Sequence, residues 1–543
     1  MCNHHRNKNL KNGRLGSALE DGKAHQKDHK VWTRRDFLTS LGIAGGMGMV
    51  LQNLPVKAWA TSPMGYALSG AESDRILVLI RLKGGNDGMN MVIPAYDYGT
   101  YSALRPNIAI AQNDLLDLGE GSALPNTMGD LMGLWNGGNM KVVQNVGYPD
   151  PNLSHFRSND IWSSAADSDT INNTGWLGRF LENEFPDYLL EPPSVPPAIQ
   201  IGGQGSLIFN SGTAPMSLVM NSPEELFEVA ENGELYDTTN LPDCDYGEIL
   251  GYVRSVTNST YIYAQVIKEA YDASTTQANY TTSLGDQLAL VARLIKGNLE
   301  TKIYMVELDG FDTHAVQSGT HPLLMNNLAK AVSDFYEDLG AANLSENVLA
   351  MTFSEFGRRV EQNASQGTDH GTAAPLLLFG GQLNGGGFEG TPANLQDLDQ
   401  FGNLQFSTDF RSIYATVLEN WLCVNGNLVD ELLGQNFERM SNLVVACDAS
   451  NVGIASAAQQ KITHKIIYGQ GQTQLHFTLP QSSPVVVQLY SLSGQLVATV
   501  HKGTFSAGSH QLVLNGRAYQ VAGQYIYRIQ ALGRGFSGKV LLV

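Results

Sequence analysis

Ile76-Leu77-Val78-Leu79-Ile80-Arg81-Leu82, running straight into Lys83-Gly84-Gly85-Asn86-Asp87-Gly88, is the stretch from which the fold of this 543-residue chain is read. It is rich in β-branched residues and almost continuously apolar, the pattern of a strand buried on both faces of a parallel sheet. Lys141–Val146, Ile303–Leu308, Val348–Phe353 and Pro375–Phe379 read as further strands. Met128–Trp135, Leu284–Ile295, Pro322–Leu339 and Ser412–Leu422 read as helices. Pro322 is placed at the start of its helix, where a missing N–H costs nothing. Strands alternating with helices predict an α/β fold: a mostly parallel sheet, helices on both faces, and ligands bound outside the carboxyl ends of the strands. Residues 186–240, rich in Pro, Gly and short β-like pieces, read as an insertion or small subdomain.

The texture changes after about residue 445. Ala455–Lys461 reads as linker, and from Lys465 onward short β stretches alternate with turns, as in Val485–Tyr490, Ser493-Gly494 and Gln495–Val500. At the other end, Thr33-Arg34-Arg35-Asp36-Phe37-Leu38 opens an apolar run, Phe37 to Leu54, closed by Ala58-Trp59-Ala60. Those are the parts, in order, of a twin-arginine export signal with its cleavage site. The expected division is a signal region at 1–60, a core domain at 61–445, a linker at 446–465 and a small β-sandwich at 466–543. The run is diluted by glycines and falls short of the roughly 20 apolar residues of a membrane span. No transmembrane segment is expected in the mature chain.

The chain carries 34 Lys+Arg against 52 Asp+Glu; the leader holds 10 basic and 4 acidic residues, which leaves the mature part at −24. Such acidity argues against nucleic acid as a partner, because phosphate contacts need clustered Lys and Arg. Cys2 leaves with the leader, and Cys244, Cys423 and Cys447 remain, an odd and widely spaced set. It reads as buried free thiols, with a single bridge as the alternative. Without a Cys-x-x-Cys pair, a thiolate zinc site is not expected.

The chemistry gathers in loops next to strands. Asp87 lies in a glycine-rich turn that lacks the Gly-x-Gly-x-x-Gly spacing of a dinucleotide site. Asp312-Thr313-His314 sets a carboxylate and an imidazole two residues apart, on one side of an extended backbone, which suits a divalent cation such as Zn²⁺ or Mn²⁺. Asp369-His370 is a second such pair. Glu355 and Arg358 follow another strand; the Arg could clamp an anion, or Glu355 could simply pair with Arg358 or Arg359. Ser154 is placed as a helix N-cap or as a nucleophile, His155 as a ligand, base or structural residue, and His321 as a ligand or cap.

Two resemblances add to this reading. Val487–Val497, Ala507-Gly508-Ser509-His510 and Gly523–Arg528 resemble the type A sorting domain of the type IX secretion system of Bacteroidetes. The twin-arginine translocase and the type IX machinery are then the implied partners, and the implied destination, by way of the periplasm, is the medium or the outer cell surface. The core resembles domain-of-unknown-function family 1501 through Leu82–Gly88, Ser154-His155-Phe156, Gln287–Ile295, Gly310–His314, Ser354–Arg358, Gly367–Gly371 and Thr408–Arg411. That family is placed in the alkaline phosphatase/sulfatase superfamily. It implies a three-layer α/β/α core and metal-dependent hydrolysis of a phosphate or sulfate ester, hence a small anionic substrate. The implied metal ligands are Asp87, Asp312, His314, Asp369 and His370, with Glu355 as a further one. Ser154 or a water would attack, His155 would assist, and Arg157 and Arg358 would stabilise the anionic transition state. The alternative is a non-catalytic, surface-displayed binding or structural protein on a degenerate phosphatase-like fold.

Overall fold

A computed structural model of the chain describes residues 74–447, apart from 187, 189–191, 238–240 and 242–244, and most residues from 463 to 542. The twin-arginine signal, Cys244 and the linker Ala455–Lys461 lie outside the described residues. The chain divides between Cys447 and Asp448 into two compact units.

The first unit is built on one sheet. Its strands are β1 (Ile76–Lys83), β2 (Met140–Gly147), β3 (Ala198–Ile201), β4 (Ser217–Met220), β5 (Ile303–Asp309), β6 (Val348–Phe353), β9 (Ala374–Phe379), β10 (Gly387–Glu389) and β11 (Thr408–Asp409). Two short strands, β7 (Gly357–Arg358) and β8 (His370–Gly371), pair separately. The sheet order is β10-β2-β9-β6-β1-β5-β3-β4, with β11 beside β2. Strand β1 sits centrally, parallel to both β5 and β6. Its Val78 and Ile80 pack with helices α2 (Ser283–Lys296) and α3 (Gln317–Ala341) in one core. Leu77 and Leu79 point to the opposite face and are equally inaccessible, so both faces are covered. The fold is thus α/β with a mostly parallel sheet.

Three differences from the sequence reading have physical causes. Strands β3 and β4, from the supposed subdomain, extend the central sheet through β5. Helix α3 begins five residues before Pro322, which lies inside it. That extra turn is tied down from outside: Val316 N–H donates to Ser365 O and Gln317 N–H to Gln366 O. Finally, Cys423 and Cys447 form a disulfide rather than remaining free thiols. The fold brings these two positions together across 24 residues, a proximity that spacing alone does not reveal.

Strand β9 runs antiparallel to both β2 and β6. Its leading end therefore lies at the edge where β1, β2, β5 and β6 finish. The loops after those four strands and the loop before β9 converge there. No helix among the described residues is long and apolar enough to cross a membrane.

The second unit holds two antiparallel sheets. One joins Thr463–Gly469, Gln472–Leu479 and Gly508–Val513; the other joins Ser483–Ser491, Leu496–Phe505, Gly523–Ala531 and Arg534–Leu542. Alternate residues Leu475, Phe477 and Leu479 of the first share a core with Val485, Val487 and Leu489 of the second.

Candidate metal centre

The loop after β5 carries Asp312 to the centre of the converging loops. Its Oδ1 lies 3.1 Å from His314 Nε2 and 3.3 Å from His370 Nε2, and these two nitrogens are 2.9 Å apart. Its Oδ2 lies 3.5 Å from His155 Nε2. His155 opens helix α1 (His155–Ser164), which follows β2. The ligand atoms of His155, Asp312 and His370 lie within 4.8 Å of one another. Ligands bound roughly 2.0–2.2 Å from one zinc ion stand about 3–3.5 Å apart, so this spacing suits a cation.

The protons strengthen that reading. His370 Nδ1 is 2.8 Å from the Leu153 carbonyl, which can only accept, so Nδ1 carries the hydrogen. His155 Nδ1 faces Glu355 Oε1 at 3.1 Å, and His314 Nδ1 faces Asp369 Oδ1 at 3.4 Å. Each ring so held turns its Nε2 towards Asp312. Three ring nitrogens then meet one carboxylate whose only other donor among the described residues is the Arg358 N–H on Oδ1, an arrangement that a cation in their midst would satisfy. Burial lowers the His370 pKa, with Arg358 and His155 adding to it, which disfavours a proton there. Burial alone would raise the Asp312 carboxyl, but the Arg358 hydrogen bond and charge, with His370 and His314, hold it below its ordinary value. Asp369 is likewise held low, chiefly by the hydrogen bond from Asn363. Carboxylate and neutral imidazole are the forms that bind metals.

Arg358 is 2 % exposed and acts as a strut. Its Nε donates to Gly85 O (2.6 Å), one terminal nitrogen to Thr368 O (2.8 Å), and the other to Gly84 O, Phe311 O (3.0 Å) and Asp312 Oδ1 (2.8 Å). Three loops are thereby tied to one guanidinium. The Glu355–Arg358 pair that the sequence suggests is replaced by Arg358–Asp312 and Glu355–His155. Gly84, at φ +120°, completes the junction: a Cβ there would collide with the backbone of Phe311 and Asp312.

Other sequence candidates are placed differently. Asp87 is fully buried and paired with Arg105 at 2.6 Å, and it accepts from Gln317 Nε2; its Oδ1 has no partner. Ser154 is exposed, and its side chain does not cap α1. Arg157 donates to the carbonyls of Asp167 (3.3 Å), Ser168 (3.0 Å) and Thr170 (2.7 Å), holding a loop. Residues missed from sequence are Arg105, Gln317, Asn363 and the Leu153 carbonyl. Of these only Asn363 carried a local signal, standing four residues before Gly367 in a turn-rich loop.

His321 is buried, with Nε2 3.0 Å from Asn86 Oδ1. Burial pushes its pKa down from 6.5 to about 4, against the raising charge of Asp87 and with Arg105 and Arg358 helping. The unfolded chain therefore binds this proton first. Stability is complete above about pH 6.5 and falls as pH drops towards 4, by about 3 kcal/mol from this group. Urea midpoints measured across that window should show the loss, and H321Q should flatten it.

The comparisons with known proteins come to this. A family model described as "Protein of unknown function (DUF1501)" matches residues 260–445. No curated protein matches the chain. Among solved structures, the lipoteichoic acid synthase LtaP from Listeria monocytogenes is 8% identical, with 76% of this chain and 84% of that one covered, at a TM-score of 0.30. A protein in the alkaline phosphatase superfamily from Vibrio parahaemolyticus is 7% identical, with 77% and 81% covered, at 0.29. Alkaline phosphatase from the Antarctic bacterium TAB5 is 7% identical, with 58% and 94% covered, at 0.22.

Proposed function

We propose that this chain is an exported, metal-dependent hydrolase of phosphate or sulfate esters. The observation that carries the metal part is the convergence of three imidazole Nε2 atoms on Asp312. Asp312, His314, His370 and His155 would hold one divalent cation; nitrogen and carboxylate donors suit Zn²⁺, with Mn²⁺ next. Such an ion, when bound, polarises an ester oxygen and lowers the pKa of a water. The ester class follows from the sequence resemblance to the family 1501 motifs. Water is the favoured nucleophile, because no hydrogen bond joins Ser154 to the cluster. Its oxygen attacks phosphorus or sulfur, the ester oxygen departs, and the proton given up by the water ends on that leaving oxygen.

The export part rests on the leader and tail motifs. The Cys423–Cys447 disulfide supports it, since such bonds persist in oxidising compartments. The twin-arginine translocase and the type IX machinery are the proposed partners, and cell fractionation placing the chain in the cytosol would reject this part.

A second reading, a surface-displayed binding protein without catalysis, is favoured by one observation. The Arg157 and Arg358 guanidiniums are engaged with backbone oxygens and, for Arg358, Asp312. Neither is poised to receive an anion. Metal analysis of the purified chain, with generic aryl phosphate and aryl sulfate assays, separates the two. Bound metal with turnover that disappears in His314→Ala is expected; folded, metal-free and inert protein would favour the second reading.

A further inference from the structure

We infer that Glu355 and Asp369 are positioning residues rather than metal ligands: each holds the Nδ1 proton of one histidine and so aims that ring's Nε2 at the cation. The inference rests on the metal reading of the site proposed above.

Glu355 is 4 % exposed, and its Oε1 is already shared. It accepts from Gly84 N–H at 2.9 Å and faces His155 Nδ1 at 3.1 Å. The Gly84 loop is itself locked against Asp312 by the lack of space for a Cβ. One short chain of contacts, Gly84 to Glu355 to His155, thus fixes the ring relative to the carboxylate that its Nε2 approaches. Asp369 has the same relation to His314: its Oδ1 accepts from Asn363 Nδ2 at 3.0 Å and faces His314 Nδ1 at 3.4 Å. For His370 the Leu153 carbonyl does this job. Three rings are therefore backed by three acceptors, two of them carboxylates, and only the third carboxylate, Asp312, stands on the Nε2 side. Glu355 Oε2 is buried and without a partner, while Oε1 is the atom turned to His155. Acceptors behind metal-bound histidines set the tautomer and raise ligand basicity, and their loss costs roughly 10–100-fold in metal affinity.

The test is Zn²⁺ titration of the purified chain against a chromophoric chelator. E355Q and D369N should bind zinc at the wild-type stoichiometry with affinity about 10–100-fold weaker, whereas D312N should lose stoichiometric binding. In ¹⁵N spectra of the metal-free protein, His155 should show the Nδ1–H tautomer, and E355L should abolish that preference, a change that general loosening of the loop would not produce. Wild-type affinity in both E355Q and D369N would overturn the inference. So would stoichiometry lost as in D312N, since these carboxylates would then be ligands. D369N alters a half-exposed side chain, so it carries the test should E355Q fold poorly. A wild-type chain that binds no zinc would instead overturn the metal reading and the inference with it.

Discussion

Asp312→Asn is expected to abolish stoichiometric Zn²⁺ binding and to lower aryl-ester turnover by roughly a thousandfold or more, the several kcal/mol that a bound metal supplies. Both oxygens of Asp312 are committed: Oδ1 to His314, His370 and Arg358, and Oδ2 to His155. Asparagine keeps the size but replaces one oxygen with an NH₂. Its hydrogens would occupy the space where the Nε2 lone pairs meet, satisfying them without a cation. The side chain is 48 % exposed, so the fold should survive with little change. Isothermal titration with zinc reads the result directly. Wild-type binding in the variant would remove Asp312 from the centre and leave the imidazole cluster without its organiser.

Arg358→Met should destabilise the core unit by about 3–5 kcal/mol, as expected when one partner of a buried charged network is removed. The carbonyls of Gly84, Gly85, Phe311 and Thr368 would lose their common donor inside the protein. Because these oxygens belong to three different loops, the metal-binding geometry should loosen together with the fold. Arg358→Lys should rescue little, since an ammonium lacks the planar fork that spans these acceptors. Urea unfolding gives the stability change, and zinc affinity of the folded variant gives the effect on the site. A loss under about 1 kcal/mol would show that the guanidinium is not a strut.

Much of this architecture was legible because its signals are local. Val348–Phe353 appears as a strand with the bounds read from sequence, and Leu284–Ile295 lies within a helix one residue longer at each end. Continuous β-branched runs and helical periodicity survive into the fold because they report which faces are buried. Asp312, His314 and His370 were recognisable as carboxylate–imidazole pairs beside strands, and the structure brings them together. Asp87 was not legible in the same way. An Asn-Asp-Gly turn looks equally apt for a ligand or a core ion pair, and its partner Arg105 stands 18 residues away with no pattern to announce it. Glu355 and Asp369 were recognised as chemically active, and the structure sets them against the Nδ1 atoms of His155 and His314. Residue type reveals a carboxylate; only geometry shows which nitrogen of a histidine it faces.

The sequence by itself determined the α/β alternation, the separate β-rich tail, the acidic charge balance and the residue types able to bind a cation, because each is a matter of composition or short-range period. Only the tertiary structure decided that β9 is reversed, that Cys423 meets Cys447, that Arg358 is spent on backbone oxygens and that three histidines face one aspartate. These depend on contacts between positions tens to hundreds of residues apart. Such contacts arise from packing the whole sheet at once, and no window of sequence contains both partners.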